Sequence, residues 1–223
     1  MSVFWRPRGC VLWYDFAELS GDTVYDLSGN GNHGTIYNCE WRRGHLIGAL
    51  YFNGENAYVE VLDSPSLNID GAWTVEVWIK PYALPSDWHV IFRRVWNTDS
   101  NYAIYLYGNK ARIYVSGLTP AYVESNATLE VGNWYHIVGV WNPTESKLYL
   151  YLNGSLELGN VVEVTGSPSV VAGNLRFGLD GWDQNFNGII AFARIYNRAL
   201  TEREIKAHYH YLIQGYIAHP PFI

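Results

Sequence analysis

The sequence is poor in charge, cysteine and methionine. Asp, Glu, Lys and Arg make up 16% of its 223 residues, against about 25% in an average soluble domain. Two cysteines and one methionine are present. Two cysteines cannot build the framework of a small disulfide scaffold. No apolar run approaches the ~20 residues of a membrane-spanning helix. Basic residues are in deficit, 15 against 21 acidic, for a net charge of −6. That excludes a basic field spread over nucleic acid phosphates. Neither a nucleic acid partner nor a membrane span is expected. The first ten residues hold Arg6, Pro7 and Arg8 but no apolar signal-peptide core. Such a start fits a chain that has lost its signal, a domain of a larger protein, a chain exported by another route, or one not exported at all. The remaining short basic clusters, Arg42 with Arg43 and Arg93 with Arg94, read as solvated surface.

What the sequence does have is aromatics and glycine. There are 10 Trp, 18 Tyr and 8 Phe, 16% of the chain, with 21 Gly. A disordered chain lacks such residues, and one of this length buries most of its apolar surface without staples. Alternation with period two dominates. In 73–80, Val75, Val77 and Ile79 oppose Glu76, Trp78 and Lys80. In 101–107, Tyr102, Ile104 and Leu106 oppose Ala103, Tyr105 and Tyr107. Beyond the Gly108-Asn109 turn, Ile113 and Val115 oppose Arg112, Tyr114 and Ser116. Residues 134–141 and 147–152 repeat the pattern, and Asn153-Gly154 is a strong hairpin turn. Shorter strands fit 11–16, 34–38, 48–53, 57–61, 89–95, 161–164, 174–178 and 188–196. Turn signals every 8–12 residues predict an all-β sandwich or jelly roll. One helix is expected near the end. Thr201 and Glu204 form a capping box, and Ile205, Tyr209 and Leu212 make an apolar stripe. The tail 215–223 is apolar and proline-rich, suited to packing on the body or on a neighbour. With no linker and no repeat, 1–223 reads as one domain.

Cys10 and Cys39 fit either one disulfide or two buried thiols. The sequons at Asn126 and Asn153 lend slight support to secretion.

Six segments in order carry a resemblance. They are WYDFAELSGDTVYDLSGNGNHGTI (13–36), GALYFNGENAYVEV (48–61), WTVEVWIKP (73–81), NWYHIVGVWN (133–142), LYLYLNG (148–154) and FNGIIAFARIYNRALTEREI (186–205). Together, over about 11–206, they resemble laminin G-like domains of the concanavalin A-like superfamily. The resemblance implies a two-sheet antiparallel jelly-roll sandwich with one concave face. It also implies sugar, protein or lipid partners, and in many members a structural calcium ion. Related sandwiches carry glycosidases and lyases, and one fold hosts many functions.

Catalytic signals are weak. Glycoside cleavage needs two carboxyls across the bond, and the related E-x-D-x-E run is absent. His136 near Tyr149 or Tyr151 would suit a lyase, but the same position resembles a packed histidine of non-catalytic relatives. No G-x-S-x-G nucleophile motif occurs. His208 and His210, two apart on a helix, cannot chelate together.

For a metal, Asp26, Ser28 and Asn30 imitate the start of an EF-hand loop. Tyr37 stands where its twelfth-position Glu belongs. The competing reading is a tight turn in which Asp26 accepts backbone N–H groups and Asn30 or Gly31 takes positive φ. The family's second calcium site is implied near Asp15, Glu18 and the last strand, where Ala191 and Phe192 replace its acids. Asp180 and Asp183 remain as loop ligands. Asp26, Asn30 and Asp180 are thus the candidate ligands of a structural calcium ion.

A glycan would stack on the outward rings of Trp78, Tyr105, Tyr107, Tyr114, Tyr149 and Tyr151 if their strands adjoin. Arg112, His136 and Asn101 would then meet its hydroxyls. Trp78, Trp134 and Tyr151 match structural positions of the family. Tyr105, Tyr107 and Tyr114, with Arg112, are the candidate ligand-binding residues. Trp182 is the chosen rim residue among Trp88, Trp96, Tyr122 and Trp182. The function expected is a non-catalytic, extracellular carbohydrate-binding or adhesion module. The alternatives are a structural, protein-interaction domain of a larger cell-surface or virion protein and, less favoured, a polysaccharide lyase or hydrolase.

Overall fold

The computed structural model describes residues 6–43, 48–94, 101–179 and 184–214. Trp96, Asp180, Trp182, Asp183 and the tail 215–223 lie outside the described residues. In chain order the strands are β1 (Cys10–Tyr14), β2 (Thr23–Val24), β3 (Gly34–Tyr37), β4 (Glu40–Arg42), β5 (Ala49–Asn53), β6 (Tyr58–Val61), β7 (Trp73–Pro81), β8 (Trp88–Arg94) and β9 (Ala103–Tyr107). They continue as β10 (Lys110–Tyr114), β11 (Leu118–Thr119), β12 (Tyr122–Glu124), β13 (Tyr135–Asn142), β14 (Lys147–Leu152), β15 (Ser155–Glu163), β16 (Thr165–Gly166), β17 (Leu175–Phe177) and β18 (Asn187–Tyr196). Helix α1 (Glu202–Ile213) follows.

Two large antiparallel sheets stack as a sandwich. Sheet I runs β15-β14-β13-β7-β18-β5-β4, with β1 also on β18. Sheet II runs β12-β10-β9-β8-β17-β6-β3-β2. The pleat decides which residues meet between them. Val75, Val77 and Ile79 of β7 enter one cluster with Ile104 and Leu106 of β9 and Ile113 of β10. The sheets approach closely enough that a Cβ on Gly139 would stand 2.8 Å from Ile113. The Asn153-Gly154 turn has both φ values positive and joins β14 to β15, as a two-residue hairpin turn requires. β15 is longer than the strand expected at 161–164, because that hairpin starts its pairing at Ser155.

The outer face of sheet I is covered. Thr201 Oγ1 accepts from the Glu204 N–H, and the Glu204 carboxylate accepts from the Thr201 N–H. This box starts α1 two residues after the chain crosses β7, where Leu200 N donates to Thr74 Oγ1. Ile205 and Leu212 then pack with Trp78, Val138, Tyr151 and Phe192 in a second apolar cluster. Trp78, Tyr149 and Tyr151 are therefore helix-side packing and do not share a platform with Tyr105, which lies on sheet II.

Beneath α1 sits a buried carboxylate. Glu76 and His136 are both 0% exposed. His136 Nε2 lies 2.7 Å from Glu76 Oε1. His208 Nδ1 of α1 lies 3.1 Å from Glu76 Oε2. Arg194 stands directly opposite Glu76 on β18, stacked over Trp13 and Phe192. Burial alone would raise the Glu76 carboxyl. The charge of His208 and the bonds from both histidines outweigh it and hold the group well below its usual value of 4.5. Burial lowers the His136 imidazole from 6.5, and its bond to Glu76 offsets that only in part. His136 is thus a packed residue remote from any ligand hydroxyl, and so is Asn101, 0% exposed and donating to Ile69 O.

Arg93 and Arg94 are not solvated surface. They are 8% and 0% exposed. Arg94 points from the end of β8 to Asp63 Oδ1 at 2.7 Å and Asn68 Oδ1 at 2.6 Å. A buried guanidinium persists only with such partners.

Glu76→Ala removes the shared partner of two histidines and should cost about 3–5 kcal/mol in urea unfolding. Acid should also loosen the fold. An unfolded His136 accepts a proton near pH 6.5 that the folded one resists, so stability declines as pH falls below that value. Glu76 contributes stability above its unfolded value, lost as pH drops further through its depressed folded one. The melting temperature should fall from pH 7 towards pH 3, with a shallower upper limb in His136→Gln. A flat wild-type profile between pH 7 and 5 would contradict this.

Candidate functional site

No helix covers the outer face of sheet II among the described residues. The ladders place its side chains in rows. One row crosses the sheet as Tyr122, Tyr114, Ala103, Arg93, Arg176, Glu60 and Thr35, each pair in direct register. The next carries Glu124, Arg112, Tyr105 and Val90. A third pairs Lys110, Tyr107 and Trp88. Period-two alternation thus delivers Tyr105, Tyr107, Tyr114 and Arg112 to one patch.

Their roles in the patch differ. Tyr105 is only 6% exposed, packed with Val90 and Ala103 as a floor. It is not an exposed stacking ring, because Trp88 stands edge-on over it at 5.2 Å and Tyr114 at 6.2 Å. Tyr107 and Tyr122 are the open rings, 36% and 40% exposed. Arg112 lies among them. Its guanidinium carbon is 3.8 Å from the Tyr107 centroid, 4.4 Å from Tyr122 and 4.7 Å from Trp88. Its Nε donates to Glu124 Oε2 at 2.6 Å. The cation is spent on the rings and on Glu124, so Arg112 frames the rings, where sequence reasoning had it meeting hydroxyls. Cation–π contacts of this kind are worth about 0.5–2 kcal/mol each.

Trp88 and Tyr122 enter the patch from the start of β8 and from β12, while Trp182, preferred from the sequence, lies outside the described residues. The missed signal was alternation. Trp88 shares a face with Val90, and Tyr122 shares one with Glu124, but both segments are too short or too near a turn to show a period. The same sheet face carries a second ring pair, Tyr37 and Tyr58, stacked at 4.4 Å and 14°.

The Asp26 loop behaves as a turn. Asp26 Oδ1 accepts from the N–H groups of Trp13 and Ser28, and Oδ2 from Ser28 Oγ and the Asn32 N–H. Gly29 and Gly31 take positive φ, and Asn30 does not. Asn30 Nδ2 donates to Cys10 O and Ser28 Oγ. A calcium ion at Asp26 would have to displace four donors, so this carboxylate does not fit one. Asp180 lies outside the described residues. Among the described residues, no three His, Cys, Asp or Glu side chains group as a metal site needs.

The cysteines form no disulfide. Cys10 belongs to the helix-side cluster, whereas Cys39 packs against the core between the sheets. Burial pushes both thiols up to about 12, which leaves them unreactive. No helix among the described residues is long and apolar enough to cross a membrane.

Known proteins share this architecture. A family model described as the concanavalin A-like lectin/glucanases superfamily (Laminin_G_3) matches residues 53–206. Domain 4 of AbnA, a GH43 extracellular arabinanase from Geobacillus stearothermophilus solved in complex with arabinotriose, superposes with a TM-score of 0.67 at 18% identity. It covers 88% of this chain and 96% of that one. The binding domain of Paraclostridial Mosquitocidal Protein 1 superposes with a TM-score of 0.71 at 18% identity, over 90% of this chain and 52% of that one. At such identities the likeness shows the fold. Pentraxin-related protein PTX3 of Mus musculus is 30% identical over 124 residues, 50% of this chain. The match spans 32% of that relative's length.

The burial difference within the patch is measurable. Tyr105→Ala should cost about 3–5 kcal/mol, as for other large buried aromatics. Tyr107→Ala should cost under about 1 kcal/mol. Equal losses in chemical unfolding would show that Tyr105 is not a floor.

Proposed function

We propose that this chain, which belongs to the concanavalin A-like lectin/glucanases superfamily, is a non-catalytic carbohydrate-binding module working outside the cell. The observation that carries this reading is the patch of Trp88, Tyr107, Tyr114 and Tyr122 on the uncovered face of sheet II, braced by Arg112 and Glu124. The C–H bonds on one face of a sugar ring carry slight positive charge, and the face of an aromatic ring is negative. Exposed, rigidly held rings therefore bind saccharides with little entropy cost. Glu124 neutralises Arg112, and Lys110 spends its ammonium on the Ser125 and Asn126 carbonyls, so the patch suits an uncharged glycan.

Two further facts support the reading. Domain 4 of the arabinanase, similar over almost its whole length, is an oligosaccharide complex of an extracellular enzyme. And the one close pairing of acid and base among the described residues that resembles a catalytic pair, Glu76 with His136, is fully buried, so a substrate cannot touch it. A lectin-like or adhesive role would use the same face.

A glycan array probed with the wild type and with Tyr107→Ala/Tyr122→Ala decides the matter. Neutral oligosaccharides, arabinan fragments included, should be retained by the wild type and lost by the variant at unchanged melting temperature. Silence of the wild type across neutral glycans, with capture of a protein partner by the same rings, would favour a protein-interaction domain.

A further inference from the structure

We propose a second saccharide site, on the outer face of sheet I beside the helix, that takes a glycan bearing a carboxylate. Glu40, Tyr51, Ile189 and Lys80 form one row across β4, β5, β18 and β7. Trp134, just before β13, extends it, with Lys80 Nζ 6.0 Å over its ring. Tyr82 joins from the end of β7, its ring 5.8 Å from Tyr51 and 47% exposed. Ile189, 8% exposed, is the apolar floor. The Arg42 guanidinium lies 5.5 Å from the Tyr51 centroid. Three interstrand steps separate β5 from β13, roughly 14 Å, room for a short saccharide.

The ligand class follows from a contrast between the two faces. On sheet II two cations stand among the rings: Arg112 is held by Glu124 at 2.6 Å, and Lys110 turns its ammonium to the Ser125 and Asn126 carbonyls at 2.7 and 2.6 Å. On sheet I the cation among the rings, Lys80, has no carboxylate within 4.0 Å among the described residues. Glu40, the only acid in the row, is taken by Arg42. The row therefore carries an excess positive charge on a chain whose net charge is −6. A half-buried ammonium against an indole is partly shielded from water, which strengthens its attraction for an anion. A sugar ring lying on Tyr82 and Tyr51 would bring a ring carboxylate to Lys80 as a charge-assisted hydrogen bond. An uncharged sugar leaves that ammonium unused.

Calorimetric titration of the whole chain at low salt, with a short oligogalacturonate and its fully methyl-esterified counterpart, tests this. The acid should bind and the ester should not, and added salt should weaken the acid. Lys80→Gln should weaken acid binding about tenfold and Lys80→Arg should largely restore it. Tyr82→Ala should weaken it too. Lys80→Gln touches no ion pair among the described residues, and its melting temperature should equal the wild type's. Tyr107→Ala/Tyr122→Ala should leave acid binding intact, which separates this site from the one on sheet II. Equal binding of acid and ester, no binding of the acid, an unaffected Lys80→Gln, or loss of acid binding in the Tyr107/Tyr122 variant would each overturn the proposal. Failure of neutral glycans on sheet II leaves it standing.

Discussion

Glu76 is the residue around which the rest is arranged. It is an ionised carboxylate on the outer side of β7, with no exposure to water. A charge in that position is tolerable only with partners. His136 supplies one from the next strand, and His208 supplies the other from α1. The second partner also sets the position of the helix. His208 must face Glu76, so Ile205 and Leu212 fall on Trp78, Val138 and Phe192, and Tyr209 stacks beside His136 at 6.0 Å. Removing water from these apolar contacts supplies the driving force. The polar contact selects the one register in which they form.

That docking makes the two outer faces unequal. Sheet I gives Trp78, Tyr151 and Tyr196 to the helix side and keeps Tyr51, Tyr82, Trp134 and Tyr149 in partial reach of solvent. Sheet II keeps rings on its surface, and these are braced from below by Tyr105 and from the side by Arg112. Rigid rings on paired strands are what stacking recognition requires, since little freedom is left to lose on binding. The charge pattern follows the same division, with Arg112 of sheet II paired to Glu124 and Lys80 of sheet I without an acid within 4.0 Å among the described residues.

Much of this was legible in particular residues. Alternation in 73–80 and 101–107 correctly separated the side chains between the sheets from those on the outer faces, because a strand has only two faces. Asn153-Gly154 marked its hairpin, and Thr201 with Glu204 marked the helix start, since both are local hydrogen-bond and φ requirements. Asp26 behaved as a turn anchor for the same local reason. What failed depended on distance. Arg94 looked solvated until Asp63 and Asn68, more than twenty residues away, enclosed it. His208 looked like one of two mismatched histidines, because its partner lies 132 residues earlier. Tyr105 and Tyr107 look alike in sequence, yet only Tyr107 is open, because Trp88 folds over the other.

The sequence by itself did not determine the short strands β2, β4, β11, β12 and β16, but it determined the longer strands, the hairpin turn, the helix cap and the two-faced distribution of aromatic and aliphatic residues. These depend on neighbours within a few positions, where steric and hydrogen-bond rules act directly. The tertiary structure decided which outward face is covered, which rings stay open and which cations are already paired. Those outcomes depend on strand order and helix docking. A period of two says that Glu76 and Tyr107 both point outward, but only packing across the sheets determines whether water, a helix or a ligand meets them.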